Sequence, residues 1–166
     1  SWTGRKSPWL GTKNIWKLFY RVHLLSDKVF QSIQEKTAKD WDYAFCDYVY
    51  EDIKNKNVFI TNLGKCTQLD ARPLPDWVLK QYLTLLFQEI DIVKPKIIIT
   101  FGNQVSSLIL NKKISVSEHR KVRHEIEINK HKYAVYSVYY PVGNGTFNMD
   151  KAIEDIDWII EKEFKW

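Results

Sequence analysis

Asn62 closes a short apolar run, Val58-Phe59-Ile60, within the stretch NVFITNLGKC, and is followed by Gly64, Lys65 and Cys66. An asparagine amide carries a donor and an acceptor on one planar group, so at the end of a strand it can read the edge of a polar planar ligand. The same residue type also serves as a turn residue that satisfies local backbone. Cys66 has one companion, Cys46. Two cysteines make no disulfide framework, which points to a reducing compartment, cytoplasmic or, in a eukaryote, nuclear. Their spacing fits no common zinc pattern. His23, His119, His124 and His131 are scattered and read as structural or surface groups. Lys112, Lys113, Arg120, Lys121 and Arg123 form a basic run that can follow phosphates or simply face solvent.

The whole composition leans the same way. Net charge is +5 with a pI near 9.1, which favours a polyanionic partner without demanding one. Seven Trp and nine Tyr can stack on bases, although such residues more often fill cores. At 166 residues and 45% hydrophobic composition the chain is one domain with a real core. It has no apolar run near membrane-spanning length and no signal-peptide pattern, so no membrane partner is expected. It opens at Ser1 without a Met, and further sequence is expected upstream.

Elements must position these groups. Ile15, Leu18, Phe19 and Val22 recur at helical spacing, and a second helix is expected from Asp27 to about Lys39. A helical turn over 47–55 precedes an expected strand at 57–62. From about Pro75, the residues Val78, Leu79, Tyr82, Leu83, Leu86, Ile90 and Val93 predict one long amphipathic helix that ends at Pro95. KIIITFG reads as a fully buried strand, with Gly102 at the corner into a short helix. Val122, His124, Ile126 and Ile128 alternate with charged residues, and Asn129-Lys130 makes the turn of a hairpin whose second arm is 132–140. Met149, Ala152, Ile153, Ile156 and Ile160 close the chain with a helix. Strand alternating with helix predicts an α/β fold, a three-layer α/β/α sandwich with a mostly parallel sheet of about four strands. Such sheets bind ligands beyond the carboxyl ends of their strands, so Asn62, Gly102 and Tyr140-Pro141 are the places to look.

Three segments in order resemble the uracil-DNA glycosylase superfamily, in particular its family 4 and mismatch-specific branches. TGRKSPWLGTKNIWKLFYRVHLL is similar to the stretch in which a Gly-x-Pro-Phe loop enters a helix, with Pro8-Trp9 standing for Pro-Phe. VFITNLGKC, RPLP and KPKIIITFG follow the family through strand, Asn, Lys-Cys, proline-rich loop, helix and strand. YYPVGNGTFN lies where the family has its His-Pro-Ser loop. The resemblance implies a single glycosylase-like domain over 1–166 that acts on single- or double-stranded DNA as a monomer. It implies hydrolysis of the N-glycosidic bond of a flipped uracil or related base by a monofunctional enzyme of base excision repair. Asn62 would read the base and Trp9 would stack on it. Tyr140 would stand at the position that stabilises the departing anion, and Asn62 and Tyr140 are therefore the catalytic candidates. Gly143, Asn144, Gly145 and Lys65 would lie at the DNA, with Phe147 wedging into the space left by the flipped base. The other reading of Phe147 is a residue that packs before the last helix.

The pattern departs from the family in three ways. The Gly-Glu-x-Pro-Gly-like loop that follows the family's first strand is absent, and is expected with that strand upstream of Ser1. Tyr140 replaces the family's His, and Val142 replaces its Ser. The iron–sulfur cluster of family 4 needs four thiolates. Cys66 matches the third ligand, but the fourth falls near Tyr82, so neither metal nor cofactor is expected. Two rival readings remain: a non-catalytic nucleic-acid-binding homologue of the same fold, and a flavodoxin-like domain that binds a nucleotide.

Overall fold

The computed structural model describes residues 8–66 and 73–164. Contacts group the chain into two compact units. One runs up to Thr61 and takes in Tyr140–Glu154, and the other is Asn62–Tyr139 with the chain from Asp155 onward.

The first unit is helical, built from α1 (Lys13–Arg21), α2 (Asp27–Glu35) and α3 (Tyr43–Lys54). Ile15, Trp16, Leu18 and Phe19 turn one stripe of α1 inward, the stripe that the sequence spacing predicts. Asp42 caps α3 by accepting from the Phe45 backbone N–H at 2.8 Å. Asp52 on α3 accepts from the Ser26 N–H, also at 2.8 Å, which ties α3 to the start of α2. Trp16 is wholly buried and stacks on Trp41 at 5.9 Å with 23° between the planes. Both rings are core, in keeping with the bulk and rigidity of indoles.

The second unit holds the sheet and carries α4 (Asp76–Lys80), α5 (Leu83–Val93), β1 (Ile97–Phe101), α6 (Asn103–Ile109), β2 (His124–Ile128) and β3 (His131–Val138) in chain order; α7 (Met149–Glu163) belongs to the first unit up to Glu154 and to the second from Asp155. The strand order is β1-β3-β2, with β1 parallel and β2 antiparallel to β3. The central strand β3 is buried from Tyr133 to Val138. Leu86 and Ile90 of α5 and Leu108 and Ile109 of α6 form one hydrophobic cluster with Tyr133. Tyr136 turns the other way, meeting Trp158 edge-on and donating to Glu163 Oε1 at 2.5 Å, so helices cover both faces. Asn129 and Lys130 both have positive φ, 48° and 66°, which is the hairpin turn whose twist matches its strands.

The α/β class holds, but the described residues carry three strands in a mixed sheet, not four mostly parallel ones. Residues 58–62 run without ladder hydrogen bonds, and Phe59 is 58% exposed. The apolar run therefore has no strand pairing to satisfy its backbone. Among the described residues β1 lies at the edge of the sheet, and Ile97–Ile99 are partly buried. The helix expected from Pro75 divides at Gln81-Tyr82, where the backbone N–H groups reach three residues back to Val78 and Leu79. Lys94 ends α5 in the left-handed conformation, just ahead of Pro95.

Tyr136 yields an alkaline stability prediction. Burial first, then the Glu163 hydrogen bond, pushes its phenol up to about 12 from 10.0. The neutral phenol is thus favoured by the fold, and its stabilisation is complete below the unfolded value and lost as pH climbs through the folded one. Chemical denaturation at rising pH should show stability falling between about pH 10 and 12, less steeply in Tyr136→Phe.

Candidate functional site

Trp9 and Tyr140, far apart in sequence, come together in the helical unit. Their ring centroids lie 6.5 Å apart with 33° between the planes. Trp9 also meets Phe19 at 5.9 Å and Trp16 edge-on at 6.5 Å, so the ring is packed from behind. Tyr140 is 38% exposed and follows β3 in the chain after one further residue. Burial raises the Tyr140 phenol, and a hydrogen bond from Trp9 opposes that rise. The indole N–H donates to the phenol oxygen, which orients the hydroxyl with its own proton away from the indole. The pair thus combines an aromatic face with a neutral hydrogen-bond donor.

The loop after Tyr140 is shaped by its glycines. A Cβ at Gly145 would fall 2.0 Å from the Tyr140 carbonyl oxygen, so only glycine lets the chain fold back on this residue. The Gly145 N–H donates to Val142 O at 3.0 Å. Gly143 has φ of +57° in open space, and Gly143 and Asn144 are both exposed. A 3-10 turn from Gly143 to Asn148 then carries Phe147, which is 91% exposed. The alternative in which Phe147 packs before the last helix is thereby overturned, because a ring that open is held by little else.

Asn62 belongs to the sheet-containing unit and is exposed. The residues after it are well anchored. Leu63 is buried, and a Cβ on Gly64 would come within 3.1 Å of both Leu74 and Leu79. Lys65 pairs with Glu89 at 2.6 Å with both side chains largely buried, and Tyr82 donates to the Cys66 sulfur. The third strand end, at Gly102, is structural. Gly102 (φ 84°) donates to Val138 O at 2.8 Å, and Ser106, which is buried, donates to Gly102 O at 2.7 Å.

The basic run is largely committed to protein partners. Arg120 grips the fully buried Asp155 with Nε at 2.9 Å from Oδ2 and a second nitrogen at 2.9 Å from Oδ1. Arg123 pairs with Glu125 and lies 3.4 Å from Glu163, and Lys112 reaches His124 Nδ1 at 3.1 Å. That sequestration was invisible in the sequence, where nothing links Asp155 to Arg120. His124 is held low by burial first, then by Lys112 and His119. His119 contacts Ser115 O, and His131 packs on Tyr133.

Apolar aromatic face, phenol donor and glycine loop follow one another in the order that the sequence resemblance implies. The family model of the uracil DNA glycosylase superfamily matches residues 2–156. The chain belongs to the uracil DNA glycosylase superfamily. No curated protein and no solved structure matches it. Superfamily membership supports DNA as the partner and a DNA glycosylase-like function. An iron–sulfur cluster of the family 4 kind does not fit this member. Cys46 is fully buried with its sulfur 3.8 Å from Trp41 O, and the Cys66 sulfur accepts from Tyr82 where a further thiolate would be needed. Among the described residues no group of three or more His, Cys, Asp or Glu is arranged to hold a metal ion.

Proposed function

We propose that this superfamily member is a monofunctional DNA glycosylase that hydrolyses the N-glycosidic bond of a flipped uracil or related damaged base. The observation that carries the reading is the hydrogen-bonded Trp9–Tyr140 pair. An extruded base stacks on the Trp9 face, which is held by the rings behind it. As the bond from C1′ to the base nitrogen breaks, its electron pair leaves with the base, and the Tyr140 hydroxyl donates to the carbonyl oxygen where the charge collects. Water adds at C1′, and one of its protons completes the released base. Asn62 keeps the role of reading the base edge, since its exposed amide offers both donor and acceptor.

Phe147 acts as the wedge that fills the vacated stack. Phe147→Ala should leave the melting temperature unchanged, because the ring is 91% exposed. It should weaken binding to uracil-containing duplex about tenfold, while single-stranded substrate, which has no stack to fill, is excised as before. Fluorescence anisotropy and excision on paired substrates measure both.

The competing reading is a homologue that binds nucleic acid without catalysis, and the neutral phenol in place of the family's imidazole is what favours it. Single- and double-stranded oligonucleotides carrying uracil, hypoxanthine or a thymine mismatch separate the two. Abasic sites that form with wild type and are lost in Trp9→Ala support the enzyme. Salt-dependent binding with no base released from any substrate overturns it.

A further inference from the structure

Trp9 sits in a backbone conformation that its residue type avoids: its φ is 59°, in the left-handed region, where a bulky aromatic is an outlier. Strain of this kind persists only where surrounding structure over-determines it. Here the determinants are specific. The Tyr50 hydroxyl donates to the carbonyl of Pro8, one residue before Trp9. The Trp16 indole N–H donates to the Trp9 carbonyl at 3.0 Å, and the Thr12 N–H donates to the same oxygen at 3.1 Å. Gly11, with φ of +72°, presses the loop against Ala38 so closely that a Cβ would lie 2.7 Å from the Ala38 Cβ. Trp16 and Tyr50 in turn meet edge-to-face at 5.8 Å, so both donors belong to one packed cluster.

We infer that Tyr50 and Trp16 are positioning residues that hold Trp9, through the carbonyls of Pro8 and Trp9, as a preformed stacking face for the extruded base. The inference rests on the glycosylase reading above. Neither residue touches the base. Each fixes a carbonyl in the strained turn, which in turn fixes the tilt of the Trp9 ring and the direction of its N–H toward Tyr140. A face set before binding spares the base the cost of ordering it, which is the advantage of preorganisation. The two donors come from different helices, α1 and α3, and neither is needed to complete those helices.

Tyr50→Phe removes one oxygen and keeps the ring in its packing, and Gly11→Ala disturbs the same turn from the opposite side. Two readouts are decisive. The first is the Trp9 indole N–H resonance, assigned by Trp9→Phe: it should move or broaden in both variants while the other indole signals stay in place. The second is excision under single turnover: the rate should fall about tenfold, with affinity for undamaged duplex unchanged, because the stacking face meets only an extruded base. An unmoved Trp9 resonance, or a loss of undamaged-DNA affinity in step with the rate, overturns the inference. If wild type releases no base at all, the glycosylase reading fails, and the resonance alone decides whether Tyr50 holds the turn.

Discussion

Tyr140→Phe is expected to slow base release by about a hundredfold, equivalent to about 2.7 kcal/mol of transition-state stabilisation. The substitution keeps the ring that lies 6.5 Å from Trp9 and removes only the hydroxyl, so affinity should change far less than rate. The donor is a phenol raised above 10.0 by burial, which keeps it protonated at every pH where DNA is handled gently. Residue 140 should therefore contribute no limb to the pH–rate profile between about pH 6 and 9. Tyr140→His installs a group that titrates near about 6.5, and a limb should appear there. Single-turnover excision across that range, for the three proteins side by side, checks the set.

Arg120→Ala is the second large effect, and it should act on stability. Asp155 is completely buried and held by a two-pronged guanidinium contact, while Arg120 is 26% exposed. Removing the arginine strands a buried carboxylate, for which about 3–5 kcal/mol is the usual cost. Asp155→Ala should cost less, since the arginine left behind can turn toward water. Urea denaturation of both variants measures the difference. The same experiment bears on DNA. Because its guanidinium is committed to Asp155, Arg120 should not set the salt dependence of binding, and the slope of log affinity against log salt should be unchanged in Arg120→Lys.

These two cases mark what the sequence disclosed. The hairpin was readable because its signals are local: alternation from Val122 to Ile128 and an Asn-Lys turn that accepts positive φ. Gly102 at the strand-to-helix corner was readable for the same reason. The division at Gln81-Tyr82 was hidden, because Leu79, Leu86 and Ile90 keep one apolar phase across the break. The pairing of residues 57–62 was overestimated, since strand propensity is local whereas a ladder needs a neighbour. Of the site, Trp9, Tyr140, Asn62 and Phe147 stand out through the superfamily resemblance, but no sequence signal links the Trp9 ring to Tyr140. In the sequence nothing distinguishes Tyr50 and Trp16 from the other aromatics. Their hydroxyl and N–H matter only through carbonyls in a turn whose strain appears in backbone angles alone.

Whether this superfamily member excises a base or only binds DNA is decided by abasic-site formation on a uracil-containing oligonucleotide under single turnover. Wild type and Asn62→Ala are run together, with binding measured in parallel. Abasic sites are expected with wild type and should be lost in Asn62→Ala, with affinity for undamaged DNA intact in both. Tight, salt-sensitive binding by wild type with no abasic site at any enzyme concentration would contradict that expectation.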